Sequence, residues 1–319
     1  MPSVITHELF AQETLKLLSP NLKNTIMNFP MEYSIGSSGP DLFFYYNAWP
    51  WLNREKAKNI SHVGSLIHDD NINKFFQAIF TEAKRHPTPD KISYLCGFIC
   101  HWALDKSVHP YIFYKTGDIS KNEGMNNHRR FESQLDTLML KRIKNLKPKE
   151  YPCFSLLKYS NSSVQAIYDF YNKAVSTTYN IDICINDIEK SLSHFYSIRK
   201  FLFDPYNIKS HLFLKIEEKF LHNPYCFTSL ITPNTQTKLD ILNLSKKVWH
   251  HPCTNEVSNL SFIEMFNKAT LDAADVLILF DYYLHDRCTL KQLLQLINNQ
   301  SFETGKSIKI EMKYYNPIY

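Results

Sequence analysis

Glycine is scarce in this chain, with 7 residues among 319. Phenylalanine and tyrosine are abundant instead, at 22 and 19 residues, and runs that alternate β-branched with polar residues are few. This composition and patterning favour helices over strands. The sequence therefore predicts an all-α fold, in a chain long enough to bury a sizeable core.

Long uncharged runs are also missing. No such run reaches the roughly 20 residues that a transmembrane helix needs. Residues 1–7 lack the basic segment and the apolar stretch of a signal peptide, so we expect a cytoplasmic protein. The net charge of +5 is mild. It allows an anionic ligand, and the sequence shows no basic stripe of the kind that binds nucleic acid.

The seven cysteines include no Cys-x-x-Cys pair, which argues against a cysteine-type zinc site. Their odd number is typical of a reduced, intracellular protein. Cys96 and Cys100 are four residues apart, so they share one face of a predicted helix. We interpret both as small core residues.

The most informative stretch follows an apolar segment, 92–99, in a helix predicted to start near residue 90. His101 and Asp105 are four residues apart, so they lie on the same helix face. His109 follows four residues later, just before Pro110, which is predicted to end the helix. A lone histidine or aspartate on such a face is usually a satisfied core residue. Three of them are costly to bury without a compensating charge.

A second pair with the same spacing occurs at His128 and Glu132, in a helix predicted to run to about residue 145. Imidazole and carboxylate groups four residues apart are a common way for helices to hold divalent metals. This mixture of nitrogen and oxygen ligands suits zinc. The two pairs together predict a zinc cluster.

Further candidate ligands lie upstream. Thr6 is predicted to cap a first helix that begins at His7 and runs to about residue 18. Asp41 follows a turn-rich segment and, taken alone, is more typical of a helix cap. His62 and His68 are both candidates, and we prefer His68 because it directly precedes a predicted helix.

The segment 147–152 is the best candidate linker in the chain. It divides a metal-binding helical core, 1–146, from a C-terminal helical region, 147–319, that packs on the core as a wall or lid or continues it as one domain. Polar residues of the C-terminal region form no ligand pattern, and 250–252 is interpreted as a solvated turn. Further helices are predicted at about 20–29, 72–85, 163–178, 186–203, 207–220, 258–284 and 288–299.

These residues, in this order, resemble the zinc-dependent phospholipase C family, in particular its bacterial members that lack a signal peptide. That family is all-helical and holds three zinc ions in a cleft, and a related branch cleaves single-stranded nucleic acid. The resemblance covers about the first 140 residues. The matching phrases are Thr6-His7, Gly39-Pro40-Asp41-Leu42-Phe43, Gly64-x3-His68, Cys100 to Pro110, and His128-x3-Glu132.

The resemblance implies a site for two or three zinc ions, in which Asp105 bridges two of them. The implied ligand sets are Asp41, His68, His101 and Asp105 for one ion, His109, His128 and Glu132 for a second, and His7 with Asp105 for a third. His62 remains the alternative to His68.

The resemblance also leaves one ligand of the third ion to be found. Secreted members of the family use an N-terminal tryptophan there, and this chain has no tryptophan near its start. We therefore expect the backbone of Pro2 or Ser3, exposed by removal of Met1, to complete the third site. Without that ligand, the enzyme would hold two zinc ions.

The chemistry that the resemblance implies is hydrolysis of a phosphodiester by a metal-activated water, which Asp41 would orient. The leading substrate is a phospholipid head group, with transient contact to a membrane surface. The alternatives are a single-strand nuclease and a non-catalytic protein that keeps zinc for stability. The aromatic run 43–51 suits a lipid or a base. No stable nucleic-acid partner is expected.

Overall fold

The computed structural model describes residues 4–221 and 225–319. It confirms the predicted all-α fold. The α-helices are α1 (Val4–Leu15), α2 (Pro20–Asn28), α3 (Pro30–Gly36), α4 (Arg54–Asp69), α5 (Ile72–Arg85), α6 (Pro89–Thr116), α7 (Asn122–Lys144), α8 (Asn161–Tyr179), α9 (Ile185–Leu202), α10 (Ile208–Ile216), α11 (Phe262–Leu284) and α12 (Leu290–Ile297).

Short elements join these helices. Strands β1 (Trp249–His250) and β2 (Val257–Ser258) pair antiparallel. Among the described residues, no helix combines the length and the apolar character needed to cross a membrane. The remaining elements are 3₁₀ helices at Gly39–Tyr45, Pro148–Glu150, Cys153–Leu157 and Thr228–Leu230, and a π-helical turn at Glu217–Leu221.

Helix α6 forms the centre of the molecule. It packs against α1, α2, α3, α7, α8 and α11, and most of its residues are buried. A helix that is apolar on nearly all sides is stable only when it is surrounded in this way. The side chains that α6 carries therefore lie in the interior, where a polar group needs a partner.

The prediction that Pro110 ends this helix is wrong, since α6 continues to Thr116. A proline inside a helix removes one N–H and leaves the carbonyl four residues earlier without its partner. Here that carbonyl belongs to Lys106, and Gly305 packs against it. A Cβ at Gly305, which has a φ of +63°, would lie 2.5 Å from this oxygen. The proline thus marks where the C-terminal segment approaches α6.

The predicted cap at Thr6 is also wrong. In the described part of the chain α1 already begins at Val4, and Thr6 lies inside it. The Thr6 backbone N–H and hydroxyl both donate to Asp136 of α7 over 2.8 Å, and the Ile5 N–H donates to it over 3.3 Å. A carboxylate from another helix therefore binds the free N–H groups at the start of α1.

The C-terminal helices pack directly on the N-terminal ones. Phe266 of α11 meets Phe10 with ring centroids 5.2 Å apart, and Phe280 meets Phe80 at 5.5 Å. Helix α11 begins at Phe262 rather than near residue 258, because Ser258 pairs with β1 and Ser261 caps the helix. The division at residue 147 stays a prediction.

Candidate metal centre

The residues predicted to bind metal converge from five separate elements on one buried place. They are His7 of α1, Asp41 of the Gly39–Tyr45 helix, His68 of α4, His101, Asp105 and His109 of α6, and His128 and Glu132 of α7. All of these side chains are buried. Within the described residues they form three groups whose ligand atoms lie within 4.8 Å of one another: His7–His101–Asp105, Asp41–His68–His101 and His109–His128–Glu132.

Asp105 lies between these groups. One of its carboxylate oxygens is 3.2 Å from Nε2 of His7 and 3.4 Å from Nε2 of His109. The other oxygen is 3.0 Å from Nε2 of His101. The two oxygens thus face different imidazoles, which is the arrangement that a bridging carboxylate needs.

The other two carboxylates each face imidazole nitrogens. An oxygen of Glu132 lies 3.2 Å from Nε2 of His128 and 3.5 Å from Nε2 of His109. An oxygen of Asp41 lies 3.4 Å from Nε2 of His68. His68 lies at the end of α4, shortly before α5, and belongs to one of the three groups.

Backbone carbonyls fix the orientation of three of the rings. Each carbonyl lies within hydrogen-bond distance of Nδ1, which turns Nε2 toward the carboxylates. The pairs are His68 with Gly64 at 2.7 Å, His101 with Ser37 at 3.1 Å and His109 with Phe302 at 3.0 Å. Nδ1 of His7 and of His128 is buried and has no hydrogen-bond partner among the described residues.

Gly39 makes room for the ring of His101. Its φ is +52°, and a Cβ there would lie 2.2 Å from a ring carbon of His101. A larger residue would be strained by the backbone conformation and would also displace the imidazole. The glycine that precedes Asp41 in the sequence therefore has a structural reason within the site.

His101 gives the clearest test of whether a metal fits. Burial lowers the pKa of this histidine, against the opposing effect of Asp105. In the neutral ring with its proton on Nδ1 toward the Ser37 carbonyl, the Nε2 atom carries a lone pair. That atom lies 3.0 Å from an Asp105 oxygen but makes no hydrogen bond. A cation held by this nitrogen and the facing carboxylate oxygen would satisfy both, and a donor set of imidazole and carboxylate suits zinc.

The carboxylates are ionised at neutral pH. Burial opposes ionisation, but nearby positive charge and a hydrogen bond from His68 lower the pKa of Asp41 to about 2. Against the same effect of burial, the surrounding histidines hold the pKa of Asp105 well below its usual range. Burial also opposes protonation of His109, yet Asp105 and Glu132 raise its pKa to about 9. The cluster attracts positive charge strongly.

The ligands open into a cavity of about 330 Å³. Phe44 and Phe113 line it, and both rings pack on candidate ligands: Phe44 on His68 at 5.6 Å and Phe113 on His128 at 5.0 Å. The cavity is also lined by Ser61, Ser65, Ile119, Met125, Arg129 and Glu303. Its size suits a small anionic group together with part of a longer substrate.

Phe302 and Glu303 belong to the site although the sequence gave no reason to expect them there. The Phe302 ring lies 5.1 Å from that of His68 and 5.9 Å from that of His101. Glu303 lines the cavity, and burial, with Asp69, raises its pKa. Neither residue has a ligand spacing with a neighbour, so no local signal could have identified them.

Two other histidines were interpreted from sequence. His62 lines a separate cavity beside Asp182 and Asp187 and is not in any of the groups among the described residues. The solvated turn predicted at 250–252 is wrong for His251, which is buried. Its Nδ1 accepts from Cys253 N–H, so its Nε2–H donates to the Thr304 carbonyl and holds the C-terminal segment in place.

The predicted backbone ligand at Pro2 or Ser3 lies outside the described residues.

Comparison with known proteins gives one match. A family model described as zinc dependent phospholipase C matches residues 6–195, which is more than half of the chain. No curated protein and no solved structure matches the chain significantly. The matched segment contains every candidate ligand from His7 to Glu132, together with the helices that carry them. The chain belongs to the zinc-dependent phospholipase C family.

Proposed function

We propose that this protein is a zinc-dependent hydrolase that cleaves a phosphodiester bond in a phospholipid-type substrate. The observation that carries the proposal is the position of Asp105, whose two oxygens face imidazoles of different ligand groups at the bottom of a cavity. Family membership supports a hydrolase of this kind. The proposed ligands of two to three zinc ions are His7, Asp41, His68, His101, Asp105, His109, His128 and Glu132.

The charges of the site suit a phosphodiester. Three Zn²⁺ ions carry six positive charges, which exceed the three negative charges of Asp41, Asp105 and Glu132. Arg129 lines the same cavity. The remaining positive charge attracts the substrate and stabilises the additional negative charge of a pentacoordinate transition state. Bound zinc would supply Lewis-acid polarisation of the phosphate and a water that ionises near neutral pH.

Asp41 is the residue that we assign to orienting the attacking water. It lines the cavity, and its pKa of about 2 keeps it ionised over the physiological range. An ionised carboxylate accepts a hydrogen bond from water and so holds the oxygen lone pair toward phosphorus. The Gly39–Tyr45 helix holds the carboxylate in place.

The cavity favours a phospholipid over a nucleic acid. Single-strand nucleases need aromatic faces that are free to stack on bases. Within the cavity, Phe44 and Phe113 instead pack on His68 and His128, respectively, so each ring already uses one face on a candidate ligand. No stable nucleic-acid partner is therefore proposed. A cytoplasmic location and a bacterial source stay predictions from the sequence.

One comparison of variants tests the proposal. Protein purified without chelator is assayed for zinc and for hydrolysis of bis-p-nitrophenyl phosphate, phosphatidylcholine and single-stranded DNA. His68→Ala is expected to lose zinc and to lose hydrolysis of phosphatidylcholine and of bis-p-nitrophenyl phosphate. His62→Ala, the matched control from the same helix, is expected to keep its zinc and both activities. Cleavage of DNA but not of phosphatidylcholine would favour the nuclease. Full zinc content without any hydrolysis would favour the stabilised, non-catalytic protein.

A further inference from the structure

Helix α10 is rich in apolar residues, yet none of its residues is buried. Its sequence, Ile-Lys-Ser-His-Leu-Phe-Leu-Lys-Ile, contains no buried residue, and Leu212 is 54% exposed. The π-helical turn that follows exposes Phe220 to 68%. Apolar helices of soluble proteins normally bury an apolar stripe against a neighbouring element. This helix and its turn instead present their apolar side chains outward.

Helix α10 also takes part in a row of aromatic contacts. Phe213 of α10 lies 6.1 Å from Phe201, and Phe201 lies 5.5 Å from Trp49. Trp49 stacks on Trp51 at 5.0 Å, and Trp51 is 75% exposed. We call this surface the aromatic patch and define it as Trp49, Trp51, Phe201, Leu212, Phe213 and Phe220.

Buried carboxylates hold the aromatic patch in position. Asp204 accepts from the backbone N–H and the hydroxyl of Ser210 at 2.8 and 2.9 Å, near the start of α10. Glu217, fully buried at the end of α10, accepts from the N–H groups of Tyr225 and Phe227 at 2.9 and 2.6 Å. The patch therefore has defined anchors at both ends of the helix.

Because two acidic residues are buried as these anchors, the exposed surface of this segment carries more positive than negative charge. Among the acidic residues at 200–221, Asp204 and Glu217 are buried and only Glu218 is exposed. The lysines of this segment are Lys200, Lys209, Lys215 and Lys219. Lys209 donates to the carbonyls of Phe201 and Phe203 over 2.6 and 2.9 Å, and the Lys219 amine lies over the Phe220 ring at 5.6 Å, so positive charge is held beside the apolar side chains.

We propose that the aromatic patch and its lysines dock the protein onto an anionic lipid surface. Helices that lie in a membrane interface combine tryptophan, phenylalanine and leucine with lysine, as this patch does. Anionic head groups attract the lysines. A second copy of the chain is a poorer occupant, because protein interfaces are depleted of lysine at their centre.

Short stretches of chain connect the aromatic patch with the lining of the metal cleft. The Gly39–Tyr45 helix carries Phe44 to the cavity, and the chain then reaches Trp49 a few residues later. Beyond the end of α10, Tyr225 lies against Arg130 at 4.1 Å, and Arg129, which precedes Arg130, lines the cavity. Docking at this patch brings the cleft to the lipid surface. This consequence rests on the proposed function, whereas docking itself does not.

Co-sedimentation with vesicles tests the docking. The full chain is mixed with phosphatidylcholine vesicles prepared with or without phosphatidylserine, and the bound fraction is measured. We expect the apparent affinity to rise with phosphatidylserine and to fall about tenfold or more in Trp51→Ala/Phe220→Ser and in Lys215→Glu/Lys219→Glu. Ile308→Ser is the matched control, since Ile308 is 69% exposed and lies outside the patch. It should bind as the unchanged protein does.

Two results would overturn the docking. The first is equal vesicle binding by the unchanged protein, both double variants and the control. The second is a dimer, seen by light scattering in the absence of lipid, that the substitutions Trp51→Ala/Phe220→Ser dissociate. Hydrolysis of bis-p-nitrophenyl phosphate separates this question from catalysis. We expect the patch variants to keep it, because their side chains lie outside the cavity. Patch-dependent vesicle binding by a protein that hydrolyses no phosphodiester would support docking and contradict the proposed function.

Discussion

Asp105 turns its two carboxylate oxygens toward three imidazoles, and an amide cannot serve two cations in the same way. We expect Asp105→Asn to lose zinc and thermal stability together, and to lower phosphodiesterase activity by about 10²-fold or more. Zinc analysis and a thermal melt of the same sample test this. Asp275→Asn is the control, because Asp275 is exposed on α11. Unchanged zinc content and melting temperature in Asp105→Asn would show that Asp105 is not a bridging ligand.

Phe302 supports the ligands without binding metal, since its buried ring packs on His68 and His101. We expect Phe302→Ala to cost about 3–5 kcal/mol of folding stability. It should also weaken zinc binding, because the imidazole rings of His68 and His101 lose a packing partner that limits their movement. Phe262→Ala is the matched control, as Phe262 is 1% exposed and does not line the cavity. Denaturant titrations and competition with a zinc chelator separate the two effects. Equal zinc affinity in both variants would limit Phe302 to packing.

The start of α1 depends on α7. Asp136 accepts from the backbone of Ile5 and Thr6, one residue before His7. Asp136→Asn should cost about 1.5–3 kcal/mol, as hydrogen bonds to a charged group do, and should lower the zinc content through the position of His7. Thr6→Val removes only the hydroxyl contact and should cost less. Chemical denaturation and zinc analysis of both variants provide the measurement, and equal losses in the two would argue against this anchoring role.

Periodicity and local spacing predict most of the elements. The helix predicted at 72–85 is α5, and the pairs His101/Asp105 and His128/Glu132 lie on helices as expected. The errors occur where a contact distant in sequence decides the structure. Thr6 looked like a cap because the partner that replaces it, Asp136, is on another helix. Pro110 looked like a helix end because Gly305, which packs at the interrupted turn, is far along the chain.

The site itself could be predicted only in part. Its proposed ligands follow from short spacings and from a family resemblance, so they could be named from the sequence. The segment 301–304 could not, because it reaches the cleft through contacts such as Phe302 N–H to the His68 carbonyl at 2.9 Å. No periodic pattern records a pairing of that kind. The aromatic patch was hidden for a related reason, since sequence alone does not show which apolar residues remain exposed.

The metal centre joins segments from most of the first half of the chain. His7, Asp41, His68, His101 and His128 come from five different elements, so bound zinc acts as a cross-link between them. We expect removal of zinc by a chelator to lower the melting temperature of the whole molecule in one transition, and re-addition of zinc to restore it. Calorimetry with and without chelator is the measurement. A melting curve that the chelator leaves unchanged would contradict a structural contribution of the metal.

The count of zinc ions in the purified protein tests the central claim most directly. Elemental analysis is performed on untagged protein purified without chelator, with the concentration of the chain determined independently. The arrangement of three ligand groups around Asp105 predicts two to three zinc ions per chain. Less than one transition-metal ion per chain would contradict the account.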